Sequence, residues 1–301
     1  MNLIDEFHYM NYNRYLRKQF GGRVFRISLD AGFRCPKQAQ CTYCDDEGSG
    51  NGALKKNISL REQMERGMQA YRTFYKAEKF IAYFQSYTNT LMPIDKLKQL
   101  YDTPLFDDTI IGLDIATRPD CIDESKIDLI ARYTDRYIVW IEYGLQSAHN
   151  RTLERVKRGH TVEQTVDAIA MTKNKGIKIG LHVILGLPGE TYDDMMATAD
   201  FVARLDIDGI KIHMLHIVRG SAMEQEYSRG EITLFERNEY VKTVCDFLER
   251  LPKNMFIQRL TGERTSDKLV APLWCMQKAP VIQAINNELV RRKSYQGRIF
   301  G

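Results

Sequence analysis

The feature that most constrains this chain's fold is an alternation. Runs rich in β-branched and aromatic residues recur, with helix-length amphipathic segments between them. Repetition of this kind is the signature of βα units around a parallel sheet. Strands are predicted over 24–29, 79–85, 109–117, 137–145, 178–186 and 209–215, with a weaker seventh over 255–260. Their mostly apolar runs, such as Ile141 to Leu145 and Leu181 to Leu185, suit strands covered on both faces. The intervening helices carry start signals. Thr161 with Gln164 makes a capping box ahead of an apolar stripe at Val162, Val166 and Ile169, and Thr191 with Asp194 makes a weaker one. Six such units predict an α/β fold, a partial (β/α)6 barrel of TIM type over 23–220. A lead-in of helical or irregular character over 1–22 precedes it, and a helical extension over 221–301 follows and packs on the barrel. No Pro/Gly/Ser-rich linker or repeat divides the chain.

A chain of 301 residues, 44% of them hydrophobic, buries roughly 75% of its unfolded surface and needs no disulfide staples. The first residues show neither the basic start nor the apolar run of a signal peptide, and no 18-residue apolar stretch occurs. A cytoplasmic protein with no membrane partner is therefore expected. In that reducing compartment, clustered cysteines are read as metal-binding or catalytic. The net charge of +4 is compatible with an anionic partner such as RNA but is too small to argue for one.

Three of the six cysteines, Cys35, Cys41 and Cys44, fall within ten residues directly after the first strand. Loops at the carboxyl ends of barrel strands are where this architecture places its active sites. Three thiolates ligate three irons of a four-iron cluster and leave the fourth open, whereas an electron-transfer cluster takes four cysteines. The alternative is a structural zinc knuckle, completed by His8 or a distant histidine.

The spacing Cys-x5-Cys-x2-Cys, with aromatic Tyr43 before the last cysteine, resembles the radical SAM superfamily and its elongator-type branch. Further segments extend the likeness: Tyr83 to Thr90, Gly112 to Asp120, Glu142 to His149, Leu185 to Thr191 and Ala271 to Trp274. Together they resemble the bacterial radical SAM family called YhcC/YtqA, which has an MnmL-like member. The loop between the first two cysteines is shorter than in other members. The resemblance implies a [4Fe-4S] cluster on the three cysteines, S-adenosylmethionine (SAM) chelated by the open iron, and an electron donor such as flavodoxin or ferredoxin. Reductive cleavage of SAM would give a 5'-deoxyadenosyl radical.

Likeness to enzymes of the coproporphyrinogen-oxidase type implies SAM contacts at the strand ends. Tyr87 and Thr88 match the segment facing the methionine amino group, and Asp114, Gln146 and Arg158 match residues holding ribose, amino and carboxylate groups. His182, the backbone at Gly186 and Leu187 near adenine, and Met214 complete the expected cofactor set. Asp114 needs a partner wherever it lies, because an unpaired buried charge is strongly disfavoured. Arg158 could equally be helix-surface charge, and the Gly186 turn could simply lead a strand into a helix. His213 and His216 are candidates for substrate contact, and Glu142 and Tyr143 for reach to the radical site. Cys121, Cys245 and Cys275 read as packing residues, with Cys275, or else a tyrosine, the candidate for a radical relay.

For the substrate, the resemblance implies transfer RNA at the wobble uridine, with conversion of a 5-carboxymethylaminomethyl group to 5-aminomethyl. Arg14, Arg17 and Lys18 with Tyr12 and Tyr15, and Arg291, Arg292, Lys293 and Arg298 with Tyr295, are basic, aromatic clusters suited to phosphates and bases, or else solvated surface. The alternatives are a radical enzyme acting on a small molecule or peptide, and a zinc-binding RNA module without activity.

Overall fold

The computed structural model describes residues 8–45, 57–262 and 267–300. Leu3 to Phe7 of the expected lead-in lie outside them. The strands are β1 Val24–Leu29, β2 Lys79–Phe84, β3 Ile110–Thr117, β4 Ile138–Gln146, β5 Lys178–Leu185, β6 Gly209–Met214, β7 Ile217–Val218, β8 Phe256–Arg259 and β9 Leu269–Ala271. The helices are α1 Tyr12–Phe20, α2 Leu60–Tyr75, α3 Ile94–Asp102, α4 Glu124–Ala131, α5 Asn150–Arg155, α6 Val162–Thr172, α7 Tyr192–Ala203, α8 Ala222–Ser228, α9 Arg237–Arg250 and α10 Lys278–Arg292.

Seven strands form one sheet in the order β1-β2-β3-β4-β5-β6-β8, every neighbouring pair parallel. The weak seventh strand is thus a full member, although it comes from the segment expected as an extension. Both anticipated capping boxes form, at Thr161 with Gln164 and at Thr191 with Asp194. Each satisfies backbone N–H groups that a helix start leaves open.

Alternation along the strands separates two environments. Outward residues such as Leu113, Ile141, Leu181 and Ile212 join the large apolar core under the helices. At the amino-terminal end the inward face is apolar too: Ile81 and Trp140 pack with Tyr12 and Leu16 of α1. The Tyr12 ring lies 5.1 Å from Trp140 and 5.3 Å from Phe256, both edge-on. Helix α1 therefore plugs the barrel from below, which corrects the reading of its tyrosines as base-stacking groups. Tyr12 is buried, and Tyr15 packs on Phe256 at 4.5 Å.

The other basic cluster is tied down as well. Arg292 reaches Asp246 at 2.5 Å and Glu288 at 2.7 Å, and Arg291 reaches Glu288 at 2.8 Å. The Tyr295 ring lies 5.0 Å from the Lys253 ammonium. The final segment runs under the barrel, where Gln296 N–H donates to the His8 carbonyl at 2.8 Å. His8 therefore sits at the end opposite the cysteines and is no ligand for them. No helix among the described residues is long and apolar enough to cross a membrane.

Candidate active site

All three cysteines of the loop after β1 face a cleft of about 570 Å³ at the carboxyl end of the sheet. A short turn, closed by Cys44 N–H donating to the Cys41 carbonyl at 3.0 Å, brings the last two together. Two donors already point at the sulfurs. Thr88 Oγ1 lies 3.3 Å from Cys35 Sγ, and an Arg158 Nη lies 3.5 Å from Cys41 Sγ. Hydrogen bonding with Cys44, and then the Arg158 charge, hold the Cys41 thiol down at about 4, while Cys44 keeps its proton.

Arg158 is positioned from three sides. Its second Nη donates to the Gly144 carbonyl at 3.1 Å, and Arg118, itself paired with Asp120, donates to the Arg158 carbonyl at 2.6 Å. A Cβ at Gly144 would stand 2.4 Å from the guanidinium, so glycine there leaves Arg158 in place and a larger residue would displace it. Arg158 Nε is buried without a hydrogen-bond partner among the described residues. Two residues of the rim, Tyr87 at φ 63° and Gln146 at φ 72°, hold left-handed backbone. Non-glycine residues adopt that conformation at a cost and cluster at functional sites. At Gln146 the β4–β5 register also shifts, a bulge that re-aims the side chain into the cleft.

The floor is a buried polar network. Lys211 Nζ lies 2.5 Å from Glu142 Oε2 and 2.8 Å from the Tyr83 hydroxyl, and His182 Nε2 lies 2.9 Å from the same carboxylate oxygen. Lys211 and His182 keep Glu142 ionised despite its burial. Burial holds His182 neutral, down at about 4. Deeper still, Arg26 Nε lies 2.9 Å from Asp114 Oδ2, with its guanidinium 4.8 Å from the Tyr12 ring. Burial lifts the Asp114 carboxyl to about 7 against the pull of Arg26.

Of the expected cofactor residues, Tyr87, Gln146, Arg158 and His182 line the cleft with the cysteines. Thr88 stands behind Cys35, fully buried. Asp114 is not brought to the cleft: it lies wholly enclosed against Arg26. Gly186 and Leu187 line a separate space beside Phe235, where a Cβ on Gly186 would come within 2.8 Å of that ring. Met214 belongs to a smaller chamber adjoining the cleft, and its sulfur accepts the Gly262 N–H at 2.8 Å. Tyr143 points outward to bond Thr172 at 2.6 Å, away from the radical site. Cys121, Cys245 and Cys275 are buried, and Cys275 sits in the apolar core rather than on the cleft wall.

Sequence reasoning missed Arg26, Arg118, Lys211 and Arg259. Arg26, Lys211 and Arg259 carried a signal: each is a cation within a β-strand run, and Lys211 stands between two isoleucines.

The chain's residues 31–202 match the radical SAM superfamily model, and 207–291 match its Radical_SAM C-terminal domain. It is 38% identical to YtqA of Bacillus subtilis over 99% of this chain and 94% of that protein. To YhcC of Escherichia coli K12 it is 33% identical, over 86% of this chain and 85% of the other. A shorter match, 27% identical over 48% of this chain and 27% of the relative, is to the tRNA uridine(34) acetyltransferase of Methanocaldococcus infernus. Among solved structures, Elp3 of Methanocaldococcus infernus superposes with a TM-score of 0.73 at 16% identity, over 91% of this chain and 64% of that one. Fold and site define a radical SAM enzyme on a partial TIM-type barrel. Within that superfamily the chain belongs to the YhcC/YtqA family.

Members of the superfamily use a [4Fe-4S] cluster and SAM. The residues present fit both in kind: three thiols line one cleft at the mouth, donors are directed at two of their sulfurs, and beside them stands a buried arginine whose Nε has no hydrogen-bond partner among the described residues. When bound, this pair supplies reductive cleavage of SAM and a hydrogen-abstracting radical.

Proposed function

We propose that this enzyme modifies transfer RNA at the wobble uridine, removing the carboxymethyl unit of a 5-carboxymethylaminomethyl group to leave 5-aminomethyl. The supporting observation is the match, over about half of the chain, to a protein named tRNA uridine(34) acetyltransferase. Cys35, Cys41 and Cys44 hold the cluster. Arg158 holds the SAM carboxylate through a charge-assisted hydrogen bond. Tyr87, Gln146 and His182 orient the rest of the cofactor from the rim. When bound, the cofactor would supply hydrogen abstraction at the carboxymethyl methylene. Return of one electron from the resulting carbon radical to the oxidised cluster would give an imine, and its hydrolysis would break the C–N bond, release the two-carbon unit as glyoxylate and leave 5-aminomethyl. The apolar base of the barrel closes the floor from below.

The test is nucleoside mass spectrometry of tRNA from a deletion strain. The 5-carboxymethylaminomethyl form should accumulate at the expense of 5-aminomethyl. The wild-type gene should restore the profile, and Cys35→Ala should not. An unchanged profile would move the assignment to a small molecule or peptide.

A further inference from the structure

Beside the cysteine cleft, over the ends of β5, β6 and β8, lies a chamber of about 150 Å³. Met214 and His216 belong to it alone, whereas His182, His213 and Arg259 face both spaces. Its size suits a side group of a few atoms.

Three observations describe what such a group must be. The β6–β8 register shifts between Ile210 and Lys211, so that Arg259, not Gln258, stands opposite Lys211 and faces the lumen. A bulge of this kind re-aims a side chain beside a site. Next, burial keeps His182 and His213 neutral, so neither adds a charge of its own to the chamber. Finally, His213 Nε2 is buried and has no hydrogen-bond partner among the described residues, while His182 Nε2 is engaged by Glu142 at 2.9 Å. A buried polar nitrogen left in this way is open to a ligand. The acidic residue of the wall, Asp45, lies 3.8 Å from Lys268. Arg259 is the permanent cation among the described lining residues, and it faces the chamber together with the His213 nitrogen.

We propose that this chamber is an anion subsite of the substrate, receiving the carboxylate of the uridine side chain. Arg259 supplies the charge, and His213 Nε2 donates the hydrogen bond. Arg158, across the cleft against Cys41, serves the carboxylate of SAM, so the two anions are held by separate arginines. Oriented this way, the methylene between carboxylate and amine is presented from the β5–β8 side toward the cysteines. The inference rests on the tRNA reading above.

The experiment compares two anticodon stem-loops bound to the SAM-loaded holoenzyme under anaerobic conditions. One carries 5-carboxymethylaminomethyluridine and the other its neutral carboxamide counterpart. Wild type should bind the carboxylate form at least about 10-fold more tightly. Arg259→Gln should reduce that ratio to near one by weakening only the carboxylate form, with Arg259→Lys retaining part of it. A wild-type ratio near one, or a ratio unchanged in Arg259→Gln, overturns the proposal. Should Arg259→Gln not fold, His213→Phe reads the same ratio, and an undiminished value overturns it equally. If neither stem-loop binds, the tRNA reading fails by itself. N-methylglycine against its methyl ester, read by thermal shift of the holoenzyme, then decides the subsite: stabilisation by the free acid alone, lost in Arg259→Gln, upholds it, and any other result ends it.

Discussion

At the amino-terminal end of the barrel, rings of Tyr12, Trp140 and Phe256 fill the lumen. At the carboxyl-terminal end the same strands carry Glu142, Gln146, His182, Lys211 and Arg259 around a cleft. One end is closed by packing that any well-fitted rings could supply. The other holds left-handed backbone at Tyr87 and Gln146 and gathers its polar side chains around open space. Arrangements of that kind lower stability unless a ligand completes them. The contrast teaches that the lower end is built to hold the strands and the upper end to hold something else.

The strongest way to break this comparison is at the cysteines. Cys35→Ala, Cys41→Ala and Cys44→Ala should each abolish cluster assembly and SAM cleavage, read by iron and sulfide analysis and by 5'-deoxyadenosine formation. The apoprotein's unfolding midpoint should stay close to that of wild-type apoprotein. Retention of cluster and cleavage in any of the three removes it from the ligand set.

At the opposite end, Tyr12→Ala should cost about 3–5 kcal/mol in chemical denaturation, the range for emptying a buried aromatic site. Iron content per folded molecule should not change. A loss of cluster in the folded fraction would show that the plug also serves the mouth.

Gly144→Ala sharpens the comparison within the cleft, since the added Cβ would meet the Arg158 guanidinium at 2.4 Å. Displacing one charge-assisted bond to SAM should lower kcat/KM for SAM cleavage about 10–100-fold, matching about 1.5–3 kcal/mol. Stability should fall far less than in Tyr12→Ala. An unaffected rate would take Arg158 out of SAM binding.

The smallest effect is a pH dependence. His160, buried beside Arg158 with Nε2 3.0 Å from the Gly144 carbonyl, is held down at about 4, chiefly by burial. In the unfolded chain it takes up its proton near 6.5. Stability from this group is therefore full above pH 6.5 and declines as pH falls toward 4, by up to roughly 1.4 kcal/mol per pH unit. Comparing denaturation of wild type and His160→Gln across that window should show a flatter slope in the variant. Equal slopes would mean that His160 is already charged in the native state.

Much of the scaffold was legible because its signals are local. Strand cores such as Val24–Leu29 and Lys178–Leu185, and the capping boxes at Thr161 and Thr191, depend on neighbours within a few residues. The cysteine loop was legible for the same reason, as a short spacing following a strand. Tyr12 was misread because a tyrosine beside arginines looks alike in sequence whether it plugs a barrel or faces solvent. Asp114 was correctly marked as needing a partner, but that partner, Arg26, lies two strands away.

By itself, then, the sequence determined the order of the strands and helices and the class of chemistry, and it singled out the three thiols proposed to carry it. Tertiary structure alone decided which polar residues meet: Arg26 with Asp114, Lys211 with Glu142, Arg158 with Cys41, and Arg259 beside His213. Periodic burial is written into each segment separately, whereas a meeting of side chains from distant strands depends on register. In β4 and β8 that register is set by bulges that no local pattern announces.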